Sequence, residues 1–542
     1  MLAPGAVTAA VHEAIRAKIE SIQLSGSRRI DGQPIASGDL LARFYTQRRF
    51  QPAWSDAANV RAMVAAVRAS QDHGLLPSDY HLDALQERAR RSPPAAEAQD
   101  ASLDILMTDG FFQLAHDLAF GRVNPIRFNP GWNFSLAGAD PQRIDLLETA
   151  LAEGRVREYL EARAPSHPLY RRLKLALERY RRIAAAGGWP SIPEGPLLGP
   201  GVRDARVPLL RARLKSTGDL SIDTNGDPLV FEPALERAVL RFQERTRVDR
   251  ASSLSDDDGS VGENTLAALN VPVEVRLRQL RVNLERCRWF LHDQPATFVL
   301  VDMAGYRGYF YKDDEIIWRA RVQIGKPYRE TPSFRSEIKK LVFNPTWTVP
   351  PGILRDVTLP NIRKDIDYLN KNKMQVIDRE GRRVDPATVD WTRYTARNLP
   401  YRIVQTPGPH NAVGRVKFIF PNNHFIYLHD TPYKSKFGMH DRAFSAGCIR
   451  VAKPFKLAKR LLDGPEKWTI GRIRAIIATQ RTRNVSLPEP VPVLLLYLTA
   501  QVDDQGQVFF RQDIYKRDQA VFKALDPSAP PIQATSTHQL AG

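Results

Sequence analysis

The sequence predicts a multidomain α+β protein, and three observations carry that prediction. Its 542 residues suffice for three or four domains of about 150 residues each. Apolar residues recur at helical spacing as far as about residue 290, then give way near residue 296 to short β-rich runs. A Gly/Pro-rich stretch, Gly187 to Pro200, punctuates the helical part. Hydrophobic and charged contents of 43% and 25% are ordinary for globular chains, so sizeable cores can be buried. The formal charge of +18 suits an anionic polymer, and an Arg-rich surface accounts for it equally well. No RNP motif, zinc-finger spacing or basic heptad run is present, which argues against nucleic acid. Two cysteines, Cys287 and Cys448, make neither a disulfide framework nor a zinc site. With no metal, nucleotide or flavin motif, no cofactor is expected.

Residues 1–38 read as a short helix followed by a polar segment, an N-terminal arm expected to be mobile. Residues 39–190 read as mainly helical. Leu40 to Tyr45 begins an amphipathic helix, and Asn59–Ala69 and Ser102–Phe120 carry helix-like spacing, with turns at Gly74–Pro77 and Gly121–Pro125. His116 and Asp117 are helix residues here, because no third ligand has metal spacing. Residues 201–272 read as a small three-helix module. Val207, Leu210 and Leu214 share one face; Pro233 opens a second helix striped by Leu235, Val239 and Phe242; Glu263 to Leu269 forms a third. Residues 273–295 form a linking helix whose Arg276, Arg278, Arg281, Arg286 and Arg288 read as a solvated face. Cys287 within it reads as a packing residue.

From residue 296 the period is that of strands: Phe298–Val301, Gly308–Tyr311, Ile316–Trp318 and Ala320–Gly325, with turns at Ala304-Gly305 and Lys312–Asp314. Residues 352–402 interrupt the strands with helix and turn. Strands resume and deliver His429 at the end of Phe425-Ile426-Tyr427-Leu428. Val493–Val502 and Val508–Arg511 are expected to complete the same sheet, which would carry this domain to residue 520. Residues 521–542 read as a disordered tail. The longest apolar run, Val491 to Ala500, contains Pro492 and falls short of the ~20 residues of a membrane span.

The chemistry concentrates in residues 429–450, HDTPYKSKFGMHDRAFSAGCIR. Cys448 stands nineteen residues after His429. A cysteine nucleophile needs its thiolate, and an imidazole can take the proton. Arg450 is a cation two residues away. Gly447 bares the backbone beside the sulfur, so amides around Gly447 and Cys448 could hold an oxyanion. Asp430 adjoins His429 and is counted among the oxyanion and substrate contacts, but neighbours on an extended segment point to opposite faces, so its backbone carbonyl is the expected orienter of the ring. Asp441 and His440 are weaker candidates. Tyr427 shares the face of His429 and could contact substrate, and Trp347 reads equally as a cleft wall or a buried strand aromatic. Ser445 reads as a polar contact or a turn former. For Arg450 a substrate carboxylate competes with a structural salt bridge.

These residues resemble the HxT…SxGC[IV]R signature of the L,D-transpeptidase (YkuD-type) family, and especially its large Gram-negative YcbB-like branch, where the same Asp follows the His. Phe44-Tyr45…Arg48…Phe50…Pro52…Trp54 resembles the helical scaffold domain of that branch. Residues 201–272 resemble the PG_binding_1-type peptidoglycan-binding module, with a longer and more acidic loop at Thr246–Asp257 that puts the glycan groove in doubt. The resemblance implies a mainly-β catalytic domain at 296–520 with a capping insertion at 352–402. It implies a periplasmic enzyme forming 3-3 peptidoglycan cross-links, with Cys448 attacking a tetrapeptide stem and His429 as base. It also implies acylation of Cys448 by carbapenems, and partners comprising peptidoglycan stems and wall-synthesis proteins met through the scaffold. Its alternatives are an L,D-carboxypeptidase or endopeptidase on the same stems, and a non-catalytic peptidoglycan-binding protein. A signal peptide is not visible in the sequence, so the periplasm is an expectation from resemblance alone.

Overall fold

A computed structural model describes residues 4–26, 28–90, 97–129, 131–134, 142–221, 226–246, 259–292, 294–313, 315–464 and 466–529. The chain divides into two units: residues up to 128 with 134–294 and 499 onward, and residues 129–133 with 295–498.

The first unit is helical. Its main core gathers Phe44, Tyr45, Trp54, Met63, Phe111 and Phe112, all fully buried. Ile15, Ile19, Ile22, Ile30 and Ile35 join that core, so the expected mobile arm is packed structure instead. The helix Pro4–Ser25 directs Ile15, Ile19 and Ile22 inward, four and three residues apart, the spacing that puts side chains on one face. A second core holds Val207, Leu210, Leu214, Leu235, Val239 and Phe242, the stripes read from the sequence. The acidic loop expected over Thr246–Asp257 lies outside the described residues after Thr246.

The helix Val273–Phe290 corrects the expectation of a solvated arginine face. Arg286 pairs with Asp518 at 2.6 Å and Arg281 with Asp526 at 2.7 Å, while Arg288 pairs with Glu285 and donates to His73 O at 2.8 Å. Arg286 and Arg288 are buried and Arg281 half-buried, where carboxylates and carbonyls meet their donors. Cys287 is fully buried, and burial pushes its thiol up to about 12, the state of an inert packing residue.

Strands Ala500–Val502 and Val508–Phe510 pair with each other in a separate two-stranded sheet within this first unit. They do not complete the catalytic sheet as expected. Thr499 anchors the pair: its N–H donates to Asn283 at 2.9 Å and its hydroxyl to Asp518 at 2.7 Å. The helix Asp518–Leu525 follows, with Val521 and Leu525 buried, so the expected disordered tail is helical through Leu525; residues 530–542 lie outside the described residues.

The second unit is built on a nine-stranded sheet. Its strands are β1 (Phe298–Asp302), β2 (Arg307–Lys312), β3 (Glu315–Gly325), β4 (Phe334–Phe343), β5 (Val416–Ile419), β6 (Leu428–His429), β7 (Ala443–Ser445), β8 (Ile449–Val451) and β9 (Arg483–Leu496). Their order is β7-β3-β8-β6-β5-β4-β9-β1-β2, and β2 pairs also with β3, so the order returns towards its start. The runs expected as Ile316–Trp318 and Ala320–Gly325 form one continuous strand. Residues 352–402 form the expected insertion with short helices. They also supply strands Met374–Ile377, Arg383–Val384 and, at the boundary, Arg402–Gln405, which make a four-stranded sheet with Trp347–Thr348. The insertion has its own core of Leu354, Leu359, Ile362, Leu369, Val376 and Trp391.

Candidate active site

The short strand β6 lies between β5, antiparallel, and β8, parallel. Register places Lys417 opposite His429, His429 opposite Arg450, and Arg450 opposite Gln323. Residues directly opposite in a sheet share a face, so four polar side chains cross four strands in one row. Cys448 immediately precedes β8, and Tyr427 precedes β6 by one residue. The fold thus brings Cys448, His429, Tyr427 and Arg450 together.

His429 is buried, and its Nδ1 donates to the carbonyl oxygen of Asp430. A carbonyl oxygen only accepts. The ring hydrogen therefore sits on Nδ1, leaving Nε2 with its lone pair. The carboxylate of Asp430 turns the other way: it accepts from Arg415 N at 2.9 Å and pairs with Lys434. The expectation that Asp430 contributes to substrate or oxyanion binding is corrected on this geometry, since its side chain is buried on the opposite face. Gly414, at φ +65, allows the close approach, because a Cβ there would lie 2.5 Å from Asp430 Cβ. Asp441 accepts from Tyr306 OH at 2.7 Å and from Ala443 N at 2.9 Å, and is occupied in holding its loop.

Around Cys448 the turn is fixed from within. Ser445 Oγ donates to Cys448 O at 2.6 Å and accepts from Gly447 N at 3.1 Å. Ser445 therefore holds the turn, the second of the two readings made of it. Gly447 adopts φ +117, a region that disfavours any Cβ, and its carbonyl accepts from Thr331 Oγ1 at 2.8 Å. The Gly447 amide is committed to Ser445, which corrects its expected role as an oxyanion donor. Ile449 N is likewise committed, to Tyr427 O at 3.1 Å. Among the described residues no hydrogen bond occupies the N–H of Cys448, which leaves that amide for an oxyanion. The thiol itself lies 3.6 Å from Phe425 O.

Residues 296–471 match the L,D-transpeptidase catalytic domain family (YkuD), and residues 39–177 match the Scaffold domain family. Residues 296–471 are an L,D-transpeptidase catalytic domain. A Haemophilus influenzae protein named "Putative L,D-transpeptidase" is 34% identical over 244 residues, 45% of this chain and 49% of that protein. The chain thus spans about half the length of this curated relative. A solved L,D-transpeptidase (Yku) from Stackebrandtia nassauensis is 13% identical, covering 57% of this chain and 96% of its own, at a TM-score of 0.21. The solved Ldtfm-avibactam carbamoyl enzyme is 12% identical, covering 50% and 84%, at 0.18.

The electrostatics of the L,D-transpeptidase domain shift both groups towards their neutral forms. Burial, then the charge of Arg450, pushes His429 down to about 3, against hydrogen bonds to the backbone of Asp430 and Val413. Burial raises the Cys448 thiol, and Tyr427, Lys417 and Arg450 oppose that rise. The Tyr427 phenol is raised by burial first and then by Cys448, while a hydrogen bond from Trp347 opposes the rise. Trp347 thereby stands against the phenol and packs on the insertion core; it is half-buried, which corrects the reading of a buried strand aromatic.

Arg450 donates from Nη1 to Gln323 Oε1 at 3.1 Å, and its buried Nε has no partner. Among the described residues no carboxylate pairs with it, so the structural salt bridge considered for it is absent. Lys417 is a site residue that sequence reasoning passed over: its Nζ sits 3.5 Å from the centroid of the Tyr427 ring. Its only sequence signal was a charged residue inside the apolar strand Val416–Ile419. Phe425 also went unnoticed; it is 86% exposed, at φ +57, and presents its carbonyl to the thiol.

Proposed function

We propose that this chain forms 3-3 cross-links in peptidoglycan by cysteine acyl transfer. The Cys448 sulfur attacks the carbonyl carbon of residue three in a tetrapeptide stem while His429 Nε2 takes the thiol proton. The amide of Cys448, with the Tyr427 phenol beside it, receives the negative charge on the carbonyl oxygen. The C–N bond to the terminal D-Ala breaks, and the proton held by His429 leaves with its amine. The side-chain amine of a second stem then attacks the thioester, its proton passes to His429, and the thiol is restored. The observation that carries this reading is the His429 ring, held by the Asp430 carbonyl, on the strand beside the one Cys448 opens.

The insertion at 352–402 caps the site and excludes water from the acyl-enzyme. The protein acts in the periplasm on peptidoglycan stems, with residues 39–190 receiving wall-synthesis proteins. Residues 201–272 serve as a wall-binding module or as a spacer. Among the described residues no helix is long and apolar enough to cross a membrane. A carbapenem should open its β-lactam ring on Cys448, adding the whole drug mass to the intact protein and none to Cys448→Ala. An unmodified wild-type protein with a reduced thiol would contradict the reading.

A further inference from the structure

Lys417 and Arg450 flank His429 in the same cross-strand row. Lys417 is half-buried and has no carboxylate partner among the described residues; its ammonium rests on the face of Tyr427, 3.5 Å from the ring centroid. Lys340, on β4, lies close enough to oppose its charge. The one carboxylate carried by the residue after His429, Asp430, faces the opposite side and is taken by Lys434 and Arg415 N. The row therefore holds two partly desolvated cations and no anion. Burying a charge without a partner is costly, so an arrangement of this kind is completed by something anionic that arrives from solution.

We propose that Lys417 is a specificity-determining residue of this site, which with Arg450 forms a two-sided cationic row that recognises a carboxylate on the acyl donor. This rests on the reading of the donor as a carboxylate-bearing stem peptide. Lys417 acts in two ways. Its cation–π contact holds the Tyr427 ring, and hence the phenol, beside Cys448. Its charge draws the donor carboxylate to the Tyr427 side of His429, as Arg450 does on the other. Burial lowers the Lys417 ammonium from its ordinary value while the nearby Cys448 opposes that shift, so the cation is coupled to the charge state of the thiol.

The test compares alkylation of Cys448 by iodoacetate and by iodoacetamide, which differ by one negative charge, in the full-length protein, read by peptide mass mapping. Cys287 is fully buried and is resolved by the same mapping. The iodoacetate-to-iodoacetamide rate ratio should exceed that of free cysteine. It should fall at least about fivefold in Lys417→Met and stay near the wild-type value in Lys417→Arg. Raising salt on the wild-type protein should slow iodoacetate and leave iodoacetamide unchanged, a readout that needs no variant to fold. An unchanged ratio in Lys417→Met, or the same loss in Lys417→Arg, would overturn the proposal, as would a wild-type ratio insensitive to salt. With tetrapeptide donors, Lys417→Met should raise KM for the free carboxylate form and not for the carboxamide form. Equal losses on both donors mean a merely structural role. Charge-dependent alkylation without any stem turnover would leave the anion-recognising row standing and remove the peptidoglycan reading instead.

Discussion

Burial pushes His429 down and the Cys448 thiol up, so on the proposed mechanism the proton moves during attack and not before it. Two cations beside the ring, Lys417 and Arg450, and its burial hold the imidazole neutral. The sign of the linked stability follows. An unfolded chain binds a proton on this histidine below its ordinary pKa of about 6.5, whereas the folded chain resists until about 3. Stability therefore falls as the pH drops from about 6.5 towards 3. His429→Gln does not titrate and should show a shallower loss of Tm between neutral and mildly acidic buffer. Equal slopes in the two proteins would contradict the assignment. The thiol, imidazole and Arg450 were legible in the sequence because each is a reactive residue type in a short signature. The work of Ser445 and the commitment of the Gly447 amide were not legible, because both depend on a turn whose hydrogen bonds run between neighbours in space. Lys417 was hidden because only the register of β5 against β6 brings it opposite His429.

At the level of elements, β6 is only two residues long and carries His429, the proposed base. It is held on both sides, by β5 and by β8, which explains how so short a strand can place a ring. The insertion is a small α+β body with its own buried core and a sheet that shares Trp347–Thr348 with the segment leading from β4. Trp347 links that sheet to the Tyr427 phenol. Removing residues 354–394 should raise the ratio of stem hydrolysis to transfer, measured by product mass spectrometry with an acceptor present, because water gains access to the thioester. An unchanged ratio would remove the capping role. The alternating strands up to Gly325 were readable from period alone. The pairing of Ala500–Val502 with Val508–Phe510 apart from the catalytic sheet was not, because strand period says nothing about which sheet a strand joins. What decides it is the buried network of Thr499 with Asn283 and Asp518.

Across the whole molecule, a helical unit and an L,D-transpeptidase unit interleave along the chain, since residues 129–133 join the second unit and residues from 499 return to the first. The links are visible in side chains: Asn133 and Arg335 exchange two hydrogen bonds, at 2.6 and 2.7 Å, within the second unit. Such returns were not legible, because sequence reading assigns boundaries at linkers, and the return at Thr499 falls inside the apolar run Val491–Ala500. On the proposed function, the net charge of +18 complements an anionic wall. The central claim is that Cys448 transfers an acyl group between peptidoglycan stems, and mass spectrometry of tetrapeptide muropeptides incubated with the reduced full-length protein tests it most directly. The account predicts a dimer joined through two third-position residues, formed by the wild-type protein and absent with Cys448→Ala. Tripeptide alone would assign hydrolysis in place of transfer. No turnover, with sacculi still bound, would contradict the enzymatic account outright.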